Sequence, residues 1–362
     1  MGKIVCFHLL NDHSGSPIVL KTVLKGLLER GFQIDLVSSK GGVLDELASP
    51  RLRRRTYRYR FSPNAAVTML RYAWIQCYTF VLALSYCFDR DVVFYINTLL
   101  PAGPALAGRL MGKRVVYHYH EDADTKGFFY RVLARVMQSL AHEIVCVSAY
   151  QASLLKRQDK VTVIPNALPE GFVERACPDI DRAFVCQTVL MLSSLKRYKG
   201  MEELVELAAR LPLYRFKYVV NATAMEIEDY LKAAGLKKSA NLEVFPRQDD
   251  VIPFYKDASL LVSLTNKKLF IETFGLTALE AMTMGLPVIV PTVGGIAEMV
   301  EEGVTGYHID ADNLELMAQR IEEIMTDRNL YERLARSAVK ASRQYGADKT
   351  VEQIAHILTR EK

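Results

Sequence analysis

ETFGLTALEAMTMGLPVIVPTVGGIAEMVEEGVTG, residues 272–306, holds the pattern that decides how the chain folds. A loop becomes a helix, the short apolar run Leu286 to Val290 predicts a buried strand, and the turn Pro291-Thr292-Val293-Gly294-Gly295 opens another helix. Such an alternation aims unpaired backbone N–H groups and a positive helix end at one point, which makes an anion cradle. Glu272 lies just before the first helix and Glu280 about one and a half turns inside it, so both carboxylates are expected to reach one polar ligand above the cradle. Carboxylates accept from sugar hydroxyls, and N–H groups donate to phosphate. Two glutamates at this spacing alone would arise by chance; the weight lies on Phe274-Gly275-Leu276 between them and on the glycine turn that follows.

Outward from this stretch, strands and helices alternate. Lys3 to Leu9, Gln33 to Ser38, Val92 to Ile96, Arg114 to Tyr119, Ile144 to Ser148 and Val161 to Ile164 read as strands, with a helix over Pro17 to Arg30. A second series begins at Thr188 to Leu192 and runs through Phe216 to Asn221, Leu242 to Phe245, Leu260 to Leu264 and Val288 to Val290. Between the series, PNALPEGFVERACPDID (residues 165–181) carries three prolines and reads as a linker. The pattern predicts an α/β chain of two doubly wound parallel sheets, with ligands bound in a central cleft at the carboxyl ends of the strands.

Composition agrees with two domains: 362 residues, 50% of them apolar, are enough for two cores. Cys6, Cys77, Cys87, Cys146, Cys177 and Cys186 show no paired spacing and are expected as reduced, mostly buried thiols. The first residues lack the features of a secretory leader, so a cytoplasmic protein is expected. Charge is unevenly divided. Residues 1–170 hold 22 Lys and Arg against 13 Asp and Glu, whereas residues 171–362 hold 24 against 28. The densest basic patch is RLRRRTYRYR, Arg51 to Arg60, followed by the apolar, aromatic stretch Ala65 to Phe88, read as a buried or interfacial helix. That pairing suits an anionic membrane surface, and equally a solvated loop beside a core helix.

Three further segments are expected to face the cleft. Ser193-Ser194-Leu195-Lys196-Arg197-Tyr198-Lys199-Gly200 puts three cations between a strand end and the helix Met201 to Arg210, a place for a diphosphate. Tyr117-His118-Tyr119-His120-Glu121-Asp122 ends a strand; its two histidines are read as pointing to opposite faces, with His120 towards the ligand. A metal site is the other reading of this cluster, set aside because no additional ligand group accompanies it. In Asn11-Asp12-His13-Ser14-Gly15-Ser16-Pro17, Gly15 lets the backbone approach a phosphate, and the absence of G-x-G-x-x-G argues against a nicotinamide dehydrogenase. Asn97-Thr98 and Arg247 are weaker candidates.

Residues 272–306, and more faintly most of the chain, resemble the donor-binding core of the retaining glycosyltransferases of family 4. The resemblance implies a GT-B fold with an acceptor-binding Rossmann-like domain over residues 1–168, completed by a C-terminal helix within 345–362, and a donor-binding one over 169–344. It implies a nucleotide-diphosphate sugar as co-substrate, no cofactor or metal, and a saccharide or lipid-linked acceptor from cell-surface polysaccharide, lipopolysaccharide or glycolipid synthesis at the inner face of the plasma membrane. Nucleic acid is not an expected partner. By the same resemblance Glu272, His120 and Lys199 are the catalytic group, and Gly15, Ser194, Lys196, Arg197, Arg247, Phe274, Gly275, Leu276 and Glu280 hold the donor, with Glu280 on the ribose and Arg247 near the base. Ser194 stands where the family carries an arginine, a role that Arg197 or Lys196 would have to take over. A GT-B epimerase and a non-catalytic sugar-nucleotide binder stay open beside the transferase.

Overall fold

The computed structural model describes residues 2–360 as two compact units: residues up to Pro169 with those from Tyr345 onward, and Glu170–Gln344. The first unit is built on seven parallel strands: β1 (Lys3–Phe7), β2 (Gln33–Ser39), β3 (Leu52–Tyr57), β4 (Val92–Asn97), β5 (Arg114–Tyr119), β6 (Glu143–Cys146) and β7 (Val161–Val163). Their order is β3-β2-β1-β4-β5-β6-β7, and β1 pairs on both sides, Cys6 standing opposite Leu36 and Tyr95. Central strands are buried on both faces, which is why β1 reads as a continuous apolar run rather than an alternation. Phe7, Phe94 and Tyr117 lie at the centre of that core.

The second unit carries β8 (Thr188–Ser194), β9 (Arg215–Asn221), β10 (Leu242–Phe245), β11 (Leu260–Val262), β12 (Val288–Val290) and β13 (Gly306–His308), all parallel in the order β10-β9-β8-β11-β12-β13. In each sheet the strand order reverses once, between β1 and β4 and between β8 and β11. Loops leaving two strands at such a reversal diverge to opposite faces and open a crevice, so within each unit the carboxyl ends of that pair of strands are where a ligand fits.

Helix α1 (Gly15–Glu29) packs against the last helix, Ala347–Thr359, where the absent side chain of Gly26 makes room for Val351. Arg30 pairs with Asp348 at 3.0 Å, and the Thr350 hydroxyl donates to the Pro165 carbonyl. The expected C-terminal helix within 345–362 reaches into residues 361–362, which lie outside the described residues. The expected linker holds a short helix, Glu170–Arg175, and runs into the start of another, Ile180–Cys186.

Three findings sharpen or correct the sequence reading. The arginine run is an ordered edge strand, β3, in register with β2. The apolar stretch after it forms α2 (Ala65–Leu84), which buries only one stripe, Tyr72, Ile75, Thr79 and Ala83, and leaves its opposite face in solvent. Of the six free thiols, Cys77, Cys87 and Cys177 are exposed rather than buried.

Helix α2 is fixed to α3 (Ala102–Leu110) by the Tyr72 hydroxyl on the Leu100 carbonyl and by the Gly103 N–H on Gln76 Oε1, each at 2.8 Å. A Cβ on Gly103 would lie 2.3 Å from the Gln76 carbonyl oxygen, so the two backbones must part if one is added. Gly103→Ala is therefore expected to lower the unfolding free energy by about 1–3 kcal/mol, measured by urea titration.

Candidate functional site

In the second unit the site forms where β8 and β11 end. Lys199 closes a single helical turn after β8, and its ammonium pairs with the Glu272 carboxylate, both side chains mostly withdrawn from water. Glu272 also accepts from the Thr265 hydroxyl at 3.1 Å, just past β11. The rings of Tyr198 and Phe270 stack with centroids 4.7 Å apart, and Lys199 Nζ lies 5.1 Å from the Phe270 ring centroid. Sequence reasoning named Lys199 and Glu272 as separate ligands. The structure makes them one ion pair with a threonine and two aromatics around it.

The glycine turn explains why Glu272 sits there. The Gly295 N–H donates to the Glu272 carbonyl at 2.7 Å, and a Cβ on Gly294, which has φ of 104°, would stand 2.5 Å from that same oxygen. Gly275, with φ of 146°, caps the helix Leu276–Thr283, and its missing Cβ accommodates Ile296. Residues 272–276 are thus laid across the turn, with Phe274 buried beneath and no side chain capping the helix N-terminus.

One helical stretch on, Glu280 is half-buried and accepts from the Tyr255 hydroxyl at 2.5 Å. Desolvation pushes its carboxyl up to about 7, while the Tyr255 hydrogen bond acts the other way. The remaining predicted cations stand apart from the ion pair. Lys196 and Arg197 are exposed, Arg197 with Glu202 at 3.6 Å; Arg247 is exposed after β10, its N–H on the Ala222 carbonyl. Ser194 ends β8 half-buried, opposite Asn221 of β9.

In the first unit a buried polar chain occupies the ends of β1, β4 and β5. His8 donates from Nε2 to the Leu10 carbonyl at 2.8 Å, which leaves Nδ1 to accept from the Asn97 amide at 3.0 Å. The Asn97 oxygen in turn accepts from His120 Nε2 at 3.0 Å. His118 and His120 do not point to opposite faces. Positions two apart on a strand share a face, and the two rings lie 4.2 Å apart. His118 bonds Tyr95 through Nδ1, and its buried Nε2 has no hydrogen-bond partner among the described residues. Burial holds all three imidazoles neutral: His8 is lowered to about 4 and His118 to about 3, and His120 lies well below its usual value, with the neighbouring histidines adding to the effect. Glu121 is raised by burial, against the N–H of Leu99 that favours its charge.

Gly15 opens α1 directly after Ser14, whose N–H and hydroxyl both bond the Asp12 carboxylate. His8, Thr265, Tyr255 and Phe270 escaped the sequence reading. For two of them a signal existed, a polar residue at the end of a predicted strand for His8 and just past one for Thr265; what was not visible was that those strands border the reversals. Among the described residues no three His, Cys, Asp or Glu side chains gather as metal ligands.

Comparison with known proteins covers both units. Residues 13–170 match the family model for Glycosyltransferase Family 4, and residues 187–341 that for Glycosyl transferases group 1. An uncharacterized glycosyltransferase of Haemophilus influenzae is 28% identical over 178 residues, 48% of this chain and 49% of that protein. The chain thus matches about half the length of this curated relative. The fold is that of HepE from Anabaena, crystallised with UDP and glucose, at a TM-score of 0.77 and 18% identity over the whole of both chains. Sucrose-phosphate synthase from Thermosynechococcus elongatus is similar at a TM-score of 0.77 and 17% identity, over 99% of this chain and 98% of that one.

The Glu280 carboxyl carries a sign that can be checked. Its native pKa lies above the ordinary value of 4.5, so the folded state holds the proton more tightly, and this group's contribution to stability declines as pH rises from about 4.5 to about 7. Glu280→Gln, which keeps the Tyr255 bond, should gain on the parent by about 2 kcal/mol between pH ~5 and pH ~8 in paired urea titrations. An unchanged difference across that range would show that Glu280 titrates like an ordinary surface carboxylate.

Proposed function

We propose that this chain, which belongs to the group 1, family 4 glycosyltransferases and has the GT-B fold, transfers a sugar with retention of configuration from a nucleoside diphosphate sugar to a saccharide or lipid-linked acceptor. The observation that carries the reading is the Lys199–Glu272 pair set beside the N-terminus of helix Leu276–Thr283. An anion and a polyol are recognised by different groups, and this one spot offers both kinds.

On donor entry the diphosphate takes Lys199 from Glu272. The freed carboxylate then accepts from sugar hydroxyls, with the Thr265 hydroxyl keeping it aimed. Backbone N–H groups of residues 274–276 meet the phosphates, and Lys196 or Arg197 supplies the charge that Ser194 cannot. Glu280, on the same helix as Leu276, takes the ribose hydroxyls, with Arg247 towards the base.

As the bond from the anomeric carbon to the diphosphate oxygen lengthens, positive charge builds on the sugar and negative charge on the leaving group. Fixed donors aimed at the latter lower the barrier most. An acceptor hydroxyl enters on the face the diphosphate leaves and passes its proton to the departing oxygen, so no carboxylate need attack. The first unit holds the acceptor in this reading. Neutral His120, its Nε2 donating to Asn97, presents Nδ1 to a hydroxyl as a hydrogen-bond acceptor and brings no charge. The acceptors we favour belong to surface polysaccharide, lipopolysaccharide or glycolipid synthesis on the cytoplasmic side of the membrane, and no metal is assigned a part.

Thermal-shift screening against the common nucleoside diphosphates and their sugars, UDP-glucose among them, should find one that stabilises the protein. With that donor, Lys199→Ala and Glu272→Gln should each lower turnover by about 10²–10³-fold while melting stays near that of the parent. Ordinary turnover in either variant overturns the assignment. A new sugar formed from the donor alone would instead mark an epimerase.

A further inference from the structure

We propose that α2 is a membrane-docking helix that lies in the interface of an anionic bilayer, its outer stripe among the acyl chains and the arginines of β3 on the lipid headgroups. A helix apolar all round ordinarily has all of its surface covered. Here the inner stripe rests on the first unit, but the opposite face leaves Leu70 and Trp74 each 72% exposed and Val81 65% exposed, with Phe88 beyond the helix end at 94%. Residues 70, 74, 77, 81 and 84 are spaced as one continuous helical face, and none is charged.

The basic segment runs along this helix in the opposite direction. Arg55 lies over the Tyr86 ring at 5.6 Å, the Tyr57 and Tyr78 rings meet at 6.1 Å, and Arg71 donates to the Arg60 carbonyl at 3.0 Å. Arg51, Arg53, Arg54, Arg58 and Arg60 are exposed, and among the described residues none of them forms an ion pair with a carboxylate. An apolar stripe flanked along its length by unpaired arginines matches the layering of an anionic lipid surface, acyl chains beneath phosphates. The hydrogen bonds from Tyr72 and to Gln76 keep the helix against α3, so it lies on the bilayer rather than crossing it. A second copy is a poorer occupant, because a two-fold pairing of the same patch brings two basic strips together.

This inference stands apart from the donor reading: a chain that binds vesicles yet no sugar nucleotide refutes only the latter. Trp74 is the single tryptophan of the chain, so its emission reports on this face alone. The full chain is mixed with vesicles of phosphatidylcholine, or of phosphatidylcholine with phosphatidylglycerol, each with and without bromine on the acyl chains. Expected are a blue shift and quenching by the brominated lipid with the anionic vesicles, weakening as salt is raised. Arg53→Ser, Arg54→Ser and Arg58→Ser together should reduce vesicle partitioning on the order of 100-fold, about fivefold for each arginine. Leu70→Ser with Val81→Ser should remove most of the quenching while the melting temperature holds. Unchanged Trp74 emission on anionic vesicles overturns the proposal, as do an equal shift on neutral vesicles that ignores the arginine variants, full quenching in the serine pair, and a lipid-free shift that grows with protein concentration.

Discussion

The second unit depends on one backbone contact, the Gly295 N–H on the Glu272 carbonyl. It seats the loop that carries Glu272 on the turn that follows β12, and only a residue without a side chain at position 294 lets the two approach. Once that loop is fixed, the carboxylate meets Lys199 and Thr265, Phe274 is driven inward, and the helix beginning at Leu276 starts where its N–H groups have no intrahelical partners. An ion pair largely removed from water is costly unless further hydrogen bonds help, and here the Thr265 hydroxyl provides one. The pair is best understood as a poised arrangement that a ligand carrying both an anion and hydroxyls can exchange into.

The first unit solves a different problem with uncharged groups. His8, Asn97 and His120 form a chain in which each member's donor meets the next member's acceptor, so the tautomers are set by the network. Because the ring nitrogens are engaged or buried, protonation would require breaking a bond or charging an apolar interior, and the pKa values of His8, His120 and the neighbouring His118 fall accordingly.

Much of this was readable from sequence because two periodicities carry the signal. Apolar runs bounded by glycine and proline placed Arg114–Tyr119, Leu242–Phe245 and Val288–Val290 at their observed limits, and the family resemblance led to Lys199, Glu272 and Glu280. What escaped lies in relations between distant segments. Nothing near Lys199 announces Phe270, and nothing near Glu280 announces Tyr255, since the strand order that brings them together is a property of the sheet. The arginine run hid a strand because an edge strand can carry charge on both faces, where a central one cannot. His118 and His120, at the end of β5 and just past it, differ from the expectation by the arithmetic of the pleat, in which adjacent residues alternate and next neighbours agree. Cys77 and Cys87 are exposed for the same reason as their apolar neighbours, the uncovered outer side of α2 and the turns after it.

The place of β3 in its sheet has a consequence for how the molecule keeps itself to itself. Its outer edge is the open flank of seven parallel strands, a row of backbone groups that could template an extended segment of any chain that came near. Arg53, Arg54 and Arg55 make that flank repel its own kind, since stacking two such edges would crowd like charges at strand spacing. The same six residues that close the sheet at this side thereby also keep its edge from pairing with a copy of itself.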